Sequence, residues 1–306
     1  MSVESGIRAG ETAIFRRLQM WPTEIVIPIQ ADGITTSIRV LSFGDGQPIL
    51  CLHAASWFAA HWLELCSLLK GYRCHCIDMP GHGLSDGVDY SDKKLRAFQV
   101  ELFGKVGRAL GLQKVPVIGN SLGGMTALWL ALDVPELIAR LVILGVPATA
   151  LSGARPDLIL SLLSMPYLNR VILAAPATAS TSRIAMRNAL SVSAGQELAI
   201  ELFQIHALAR RRPAFRGTIA TWMAATHIWR GALPSVVISD NEIAQLHQPT
   251  LFIWGERDVF GGPEIANRAA GIMPNAQVEV VSAGHHPQLT AAPRCAALIG
   301  PFLNRV

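Results

Sequence analysis

The sequence predicts an α/β fold built on a mostly parallel sheet, and two observations support this. Short, continuously apolar runs typical of buried strands alternate with helical segments between about residues 48 and 144. The alternation breaks between residues 148 and 235, where proline-punctuated helical runs follow one another, and it resumes at residue 249. We therefore expect a core formed by residues 1–147 and 236–306, with an all-helical cap over 148–235. Such a cap would cover the carboxyl ends of the strands, where open α/β sheets bind ligands.

The elements are assigned in chain order. Residues 1–22 predict a tail or a short helix, and the strand-like runs 24–29 and 35–43 are joined by Asp32-Gly33, a strong hairpin signal. Helices are expected up to about residue 69 and over about 92–110. Further buried strands are predicted at residues 48–52, 72–77, 115–118, 141–144, 249–254 and 277–281. Each of these strands ends in a loop that can carry functional side chains.

The turn after the strand at 115–118 contains the pattern G-x-S-x-G, formed by Gly119, Ser121 and Gly123. A sharp turn between a strand and a helix exposes the hydroxyl of a nucleophilic serine, and glycine leaves room two residues to either side. The helix that follows directs its N-terminal amides towards an oxyanion formed beside the serine. The pattern therefore predicts that Ser121 is a nucleophile.

A nucleophilic serine needs a base and a carboxylate that orients the base, and both are expected downstream in the order Ser, acid, His. Asp258 and His285 each follow a predicted strand, so their side chains can meet Ser121 at one edge of the sheet. Glu256 is the rival acid, but its position next to the strand end favours a turn. His286 is the rival base, and because Pro287 follows it we expect its side chain to face outward.

An oxyanion needs two hydrogen-bond donors. We expect the backbone amides of Leu122, which follows the nucleophile, and of Ala55, in the loop after His53, to supply them.

The chain resembles the α/β-hydrolase superfamily from about Glu24 onward. The motifs that carry the resemblance are Gly119-Asn-Ser-Leu-Gly-Gly124, Asp78-Met-Pro-Gly-His-Gly-Leu-Ser-Asp86, Trp254-Gly-Glu-Arg-Asp258 and Gly284-His-His-Pro-Gln288. The resemblance implies an eight-stranded, mostly parallel sheet, a helical cap after the sixth strand, and a Ser–His–Asp triad. In one departure, His53 is followed by Ala54 where the family usually has glycine, and we expect the added Cβ to narrow the approach to the oxyanion donor.

The predicted function is hydrolysis of a carboxylic ester of a small, largely apolar substrate through an acyl-enzyme. Within the superfamily, Gly119-Asn120-Ser121 is similar to esterases and to C–C bond hydrolases of aromatic ring-cleavage pathways, and it also suits cofactor-free perhydrolases. These activities stay open as alternatives. A ligand-binding receptor on a hydrolase scaffold is the alternative that is not an enzyme.

Composition predicts the cellular compartment of the protein and the kinds of molecule it binds. The N-terminus lacks the apolar segment of a signal peptide, no run reaches the length of a membrane span, and five cysteines form no disulfide framework, so we expect a cytoplasmic protein. The segment 148–235 has nine arginines, no lysine and three acidic residues, a balance of 9 − 3 = +6. The positive charge suits a carboxylate-bearing substrate. Alternatively, the arginines only keep the outer faces of an otherwise apolar insertion solvated. No nucleic-acid motif is present, and a homo-oligomer stays open.

No cofactor or metal is expected. Cys74-His75-Cys76 suggests a metal site, but alternate residues of a strand point to opposite faces and we expect no second pair of ligands. The cysteines are therefore assigned to the core.

Overall fold

The computed structural model of the protein describes residues 2–156, 158–191, 197–229 and 231–305. Its strands are β1 (Thr23–Ala31), β2 (Ile34–Phe43), β3 (Gln47–Leu52), β4 (Tyr72–Ile77), β5 (Val115–Asn120), β6 (Ile138–Leu144), β7 (His227–Ile228), β8 (Gly231–Ala232), β9 (Thr250–Gly255) and β10 (Ala276–Val281). Its first helices are α1 (Val3–Leu18), α2 (Leu63–Leu68), α3 (Leu95–Ala109) and α4 (Leu122–Asp133). They are followed by α5 (Leu158–Leu163), α6 (Leu168–Ala174), α7 (Ala179–Leu190), α8 (Ile200–Ala209), α9 (Pro213–Thr226), α10 (Asp240–Ile243), α11 (Glu264–Ile272), α12 (Pro287–Thr290) and α13 (Ala292–Leu303).

Eight strands form one sheet in the order β1-β2-β4-β3-β5-β6-β9-β10. Only β2 runs against its neighbours among these strands, and the remaining pairs are parallel. The β1–β2 turn has positive φ at Asp32 (43°) and Gly33 (74°), which is the backbone that a two-residue hairpin requires. The predicted eight-stranded, mostly parallel sheet is confirmed.

Both faces of the sheet are buried, because successive residues of the central strands enter two different hydrophobic cores. In β5, Val117 belongs to the core beneath α3 and α4, and Ile118 belongs to the core beneath α1, α2 and α13. Residues Leu50 and Cys51 of β3 divide between the same two cores. This explains why the strands are continuously apolar in the sequence rather than alternating.

The segment between β6 and β9 holds α5 to α10 and the short antiparallel pair β7–β8. The expectation of an all-helical insertion is therefore wrong in one detail: two-residue strands are too short to leave a period-two pattern. The limits 148 and 235 stay predictions. Asp157 and Arg230, which enter the charge balance of this segment, lie outside the described residues.

Helix α1 is a complete helix of 16 residues rather than a tail. It packs against α8, and Ile7 and Ile14 of α1 lie in the same core as Ile205 of α8. Its amphipathic spacing therefore serves packing. Among the described helices, none combines the length and apolar character that crossing a bilayer requires.

A buried ion cluster joins α1 to the sheet. The guanidinium of Arg39 on β2 donates two hydrogen bonds of 2.8 Å to Glu11 of α1 and one of 3.0 Å to Asp78, which follows β4. All three residues are buried. Burial alone would lower the pKa of Arg39. The hydrogen bonds that Arg39 donates to Glu11 and the negative charge of Asp78 outweigh this effect of burial, so the pKa is raised. The cluster thus satisfies charges that would be costly unpaired.

Six of the eight buried histidines among the described residues have a strongly lowered pKa and are held neutral. Desolvation lowers the pKa to about 3 for His53, His82 and His206 and to about 4 for His61 and His227, and it lowers the pKa of His286 well below its usual value. In the unfolded chain, histidine takes up a proton near pH 6.5. Between that pH and the folded pKa, the unfolded state therefore binds more protons than the folded state.

We accordingly expect the free energy of unfolding to fall as the pH is lowered from 6.5 to 5, by up to about 1.4 kcal/mol per pH unit for each such histidine. Denaturant titrations across this range measure it. His206→Asn should remove one histidine's share of the slope, whereas His247→Asn, at an exposed position, is the matched control. A stability that stays constant between pH 6.5 and 5 would contradict the expectation.

Candidate active site

Ser121 lies between the end of β5 and the start of α4, in the sharp turn that its sequence pattern predicts. Its backbone has φ 52° and ψ −114°, a left-handed conformation that a residue other than glycine rarely adopts. A Cβ on Gly119 would approach the carbonyl oxygen of Gly123 to 2.6 Å, and one on Gly123 would approach that of Leu52 to 2.0 Å. Only glycine fits either position, so the chain pattern matches the space available.

Asp258 and His285 meet at the carboxyl ends of β9 and β10. Nδ1 of His285 lies 2.8 Å from Oδ2 of Asp258, and both residues are buried. The same carboxylate accepts hydrogen bonds from the amides of Val146 (2.9 Å) and Phe260 (3.1 Å). Because an ionised carboxylate only accepts, Nδ1 of His285 carries the proton in this hydrogen bond.

A cavity of about 40 Å³ brings three of the five predicted site residues together. Ser121, His285 and Ala55 line it, and the remaining lining residues are mostly apolar: Ala148, Thr149, Arg155, Pro156, Leu160, Trp222, Met223, His227 and Phe260. The ring of Phe260 packs edge-on against the imidazole of His285 at 4.5 Å. Trp222 and His227 have a spacing that suggests simple core residues, and they are indeed buried, but they also face this cavity.

The loop that carries Ala55 is fixed to the turn at Ser121. The amide of Gly123 donates to the carbonyl of His53 (3.1 Å). Nδ1 of His53 donates to the carbonyl of Ala54 (2.7 Å), and Nε2 accepts from the amide of Met79 (3.0 Å). Leu122 is the first residue of α4, where backbone amides have no partner within the helix. The amides of Leu122 and Ala55 therefore belong to two segments that are tied to each other beside Ser121.

A polar network behind Ser121 is absent from the sequence-based expectations. The side-chain amide of Asn120 donates to the carbonyls of Leu144 (2.6 Å) and His285 (3.0 Å), so it ties the ends of β5 and β6 to the predicted base. Its oxygen accepts from Nδ1 of His286 (2.7 Å) and from Gln288 (2.9 Å). The one signal in the sequence was a polar amide at the end of an otherwise apolar strand.

The expectation that His286 faces outward is wrong. Its side chain is buried, donates to Asn120 and accepts a hydrogen bond from the indole of Trp57 (3.2 Å). Pro287 does not turn the chain outward, because it begins the short helix α12. The rival base therefore has both ring nitrogens engaged in the network behind Ser121.

Two further candidates lie apart from the cavity. Glu256 is exposed and hydrogen-bonded to Arg257 and Ser282, as a turn residue would be. The loop Asp78–Asp86 is structural: Asp78 accepts from the amides of Ala59 (2.6 Å) and Leu84 (3.0 Å), and His82 is buried beside His53.

Comparison with known proteins agrees with this architecture. The chain is 28% identical over 290 residues to a 2-hydroxymuconate semialdehyde hydrolase from Pseudomonas sp. (strain CF600), covering 92% of this chain and 94% of the relative. Its fold is similar to that of a carboxylesterase from Bacillus subtilis (TM-score 0.77, 18% identity, 99% and 98% of the chains). It is also similar to that of a meta-cleavage product hydrolase from Pseudomonas fluorescens (TM-score 0.70, 22% identity, 91% and 97%). Residues 47–292 match the family described as the alpha/beta hydrolase fold, so the chain belongs to this family of hydrolases.

Proposed function

We propose that this hydrolase cleaves a carboxylic ester of a small, largely apolar substrate through an acyl-enzyme on Ser121. The observation that carries the proposal is that Ser121 lines the same cavity as His285, whose Nδ1 is held by Asp258 at 2.8 Å. Nucleophile, base and orienting carboxylate are the three groups that serine hydrolysis requires.

The path of the transferred proton follows from the tautomer of His285. Since Asp258 accepts a hydrogen bond from Nδ1–H of His285, Nε2 can take the proton of Ser121 as its oxygen attacks the substrate carbonyl. The same nitrogen then returns the proton to the leaving alcohol, and a water molecule repeats the sequence to release the acid. Every step uses side chains of this chain, so the reaction needs no metal or organic cofactor.

The oxyanion of the tetrahedral intermediate would be held by the amides of Leu122 and Ala55. The dipole of α4 adds positive potential at the same point. The two hydrogen bonds of His53 limit how far the loop with Ala54 and Ala55 can move. Such preorganised donors are worth about 3 kcal/mol each in activation free energy.

The lining of the cavity supports the substrate class. Trp222, Met223, Leu160 and Phe260 offer apolar surface to an acyl or alkyl group. A cavity of about 40 Å³ holds no more than a few water molecules, so a substrate has to displace the surrounding side chains or the segment above them.

C–C bond hydrolysis is the second candidate, and Arg155 favours it. Arg155 is the one permanently charged side chain among the described residues that line the cavity, and a guanidinium is suited to a carboxylate. The relative from Pseudomonas sp. is named for a 2-hydroxymuconate semialdehyde, which is a different substrate class from simple esters.

A substrate panel separates the two candidates. We expect p-nitrophenyl acetate and butyrate to be hydrolysed with a higher kcat/KM than a ring-cleavage diketone that carries a carboxylate. Arg155→Gln should lower kcat/KM for carboxylate-bearing substrates alone and leave neutral esters unchanged. Turnover of the diketone exceeding that of every ester would make C–C bond hydrolysis the function.

Covalent chemistry at Ser121 is tested directly with a fluorophosphonate probe. We expect one probe per chain on Ser121, because the turn presents this hydroxyl to the cavity. Ser121→Ala should abolish labelling and turnover, while Ser67→Ala, which removes a hydroxyl on α2, should leave both intact. Stoichiometric labelling of another serine would refute the assignment of the nucleophile.

Substitutions of the two adjacent histidines should have different effects, on kcat for His285 and on stability for His286. His285→Ala and Asp258→Asn should lower kcat by orders of magnitude with little loss of stability, since they remove the base or favour its wrong tautomer. His286→Ala should instead cost about 1–3 kcal/mol of stability, because Trp57 loses a buried partner, and it should reduce kcat far less. Measured kcat and unfolding free energies for the three variants check this, and a greater loss of kcat in His286→Ala would reverse the assignment.

A further inference from the structure

All five cysteines lie in one hydrophobic core, and the proposed reaction uses none of them. Cys74 and Cys76 are two residues apart on β4 and therefore point to the same face of the sheet. Cys51 on β3 pairs with Cys76 in the strand register, and Cys66 reaches the same point from α2. Cys51 and Cys66 therefore lie beside Cys76, a grouping that the sequence-based expectation did not include.

The sulfur atoms are spaced as ligands of one ion would be. Sγ of Cys66 and Sγ of Cys76 are 3.7 Å apart, and the sulfurs of Cys51, Cys66 and Cys76 all lie within 4.8 Å of one another. Zinc–sulfur bonds of about 2.3 Å in a tetrahedral site place neighbouring sulfurs about 3.8 Å apart. The distance between Sγ of Cys66 and Sγ of Cys76 already fits, and the other two sulfur–sulfur distances exceed the tetrahedral value by no more than about 1 Å.

We propose that Cys51, Cys66 and Cys76 form a structural site for a thiophilic divalent cation such as Zn²⁺, separate from the cavity at Ser121. Each thiol that becomes a ligand releases one proton to solvent, so three protons leave for each ion bound. Three thiolates and Zn²⁺ leave a net charge of −1, whereas a monovalent cation would leave −2. In an apolar core the smaller residual charge is the less costly one, which favours the divalent ion.

Without an ion these sulfurs are plain thiols. Burial raises the pKa of Cys51 and of Cys76 well above the usual value, so neither is a reactive thiolate at neutral pH. Because the three residues are buried within one core, the ion would enter during folding rather than through a channel.

The site would join three segments that hold the active-site loop. Helix α2 has only six residues and no side-chain cap at its N-terminus, so a ligand at Cys66 would secure it against the sheet. Cys51 lies two residues before His53, whose carbonyl contacts the turn at Ser121. Metal binding should therefore raise stability whether or not the proposed hydrolysis is correct.

The test uses the full chain, unfolded under reductant, stripped of metal, and refolded with Co²⁺, with Zn²⁺ or without added metal. We expect one ion per refolded chain, a thiolate-to-cobalt charge-transfer band in the near ultraviolet with Co²⁺, loss of that band when Zn²⁺ is in excess during refolding, and a higher Tm with either ion. Cys66→Ser should lose the band and the Tm shift. Cys295→Ser, which alters a buried cysteine of α13 outside the cluster, should keep both.

Several results would overturn the proposal. One is a reduced wild-type chain that binds no Co²⁺, and another is an unchanged band in Cys66→Ser. Isolation of a Cys66–Cys76 disulfide from protein kept under reductant would do the same. If Cys66→Ser does not unfold cooperatively, zinc-edge X-ray absorption of the wild type decides: sulfur neighbours at about 2.3 Å support the site, and a shell of nitrogen and oxygen alone refutes it.

Discussion

The close contact between α4 and β3 at Gly123 is the constraint on which the arrangement around Ser121 depends. There is no space for a Cβ between Gly123 and the carbonyl of Leu52, so helix and strand meet backbone to backbone. This proximity lets the amide of Gly123 bind the carbonyl of His53, and that bond draws the loop with Ala55 to the side of Ser121. A larger residue would separate the two segments and with them the two proposed oxyanion donors.

The parts of the molecule that could be predicted are those in which a local pattern decides the outcome. Buried parallel strands are apolar throughout, so their positions and the sheet they form follow from the sequence. Side chains that follow such strands gather at one edge, which is why the sequence alone groups Ser121, Asp258 and His285. The glycines of the turn at Ser121 could be predicted for the same reason, because the steric requirement that they meet arises within a pattern of five residues.

What escaped prediction depends on contacts between distant segments. The position of His286 is decided by Asn120 and Trp57, which are far from it in the chain and offer its ring two hydrogen bonds. The grouping of Cys51 with Cys76 requires the register of β3 against β4, and hydrophobicity does not fix the register of two uniformly apolar strands. The role of Asn120 also depends on distant segments, since its side chain binds both the end of β6 and the carbonyl of His285.

The left-handed backbone of Ser121 also has an evolutionary consequence. A non-glycine residue in such a conformation carries strain of about 1–3 kcal/mol, which glycine at the same position would largely avoid. The chain is thus less stable with serine here than it could be. Selection for stability alone would favour glycine here, and the proposed role of Ser121 as nucleophile gives a reason for the serine. The remaining contacts of the turn have to supply the free energy that holds it.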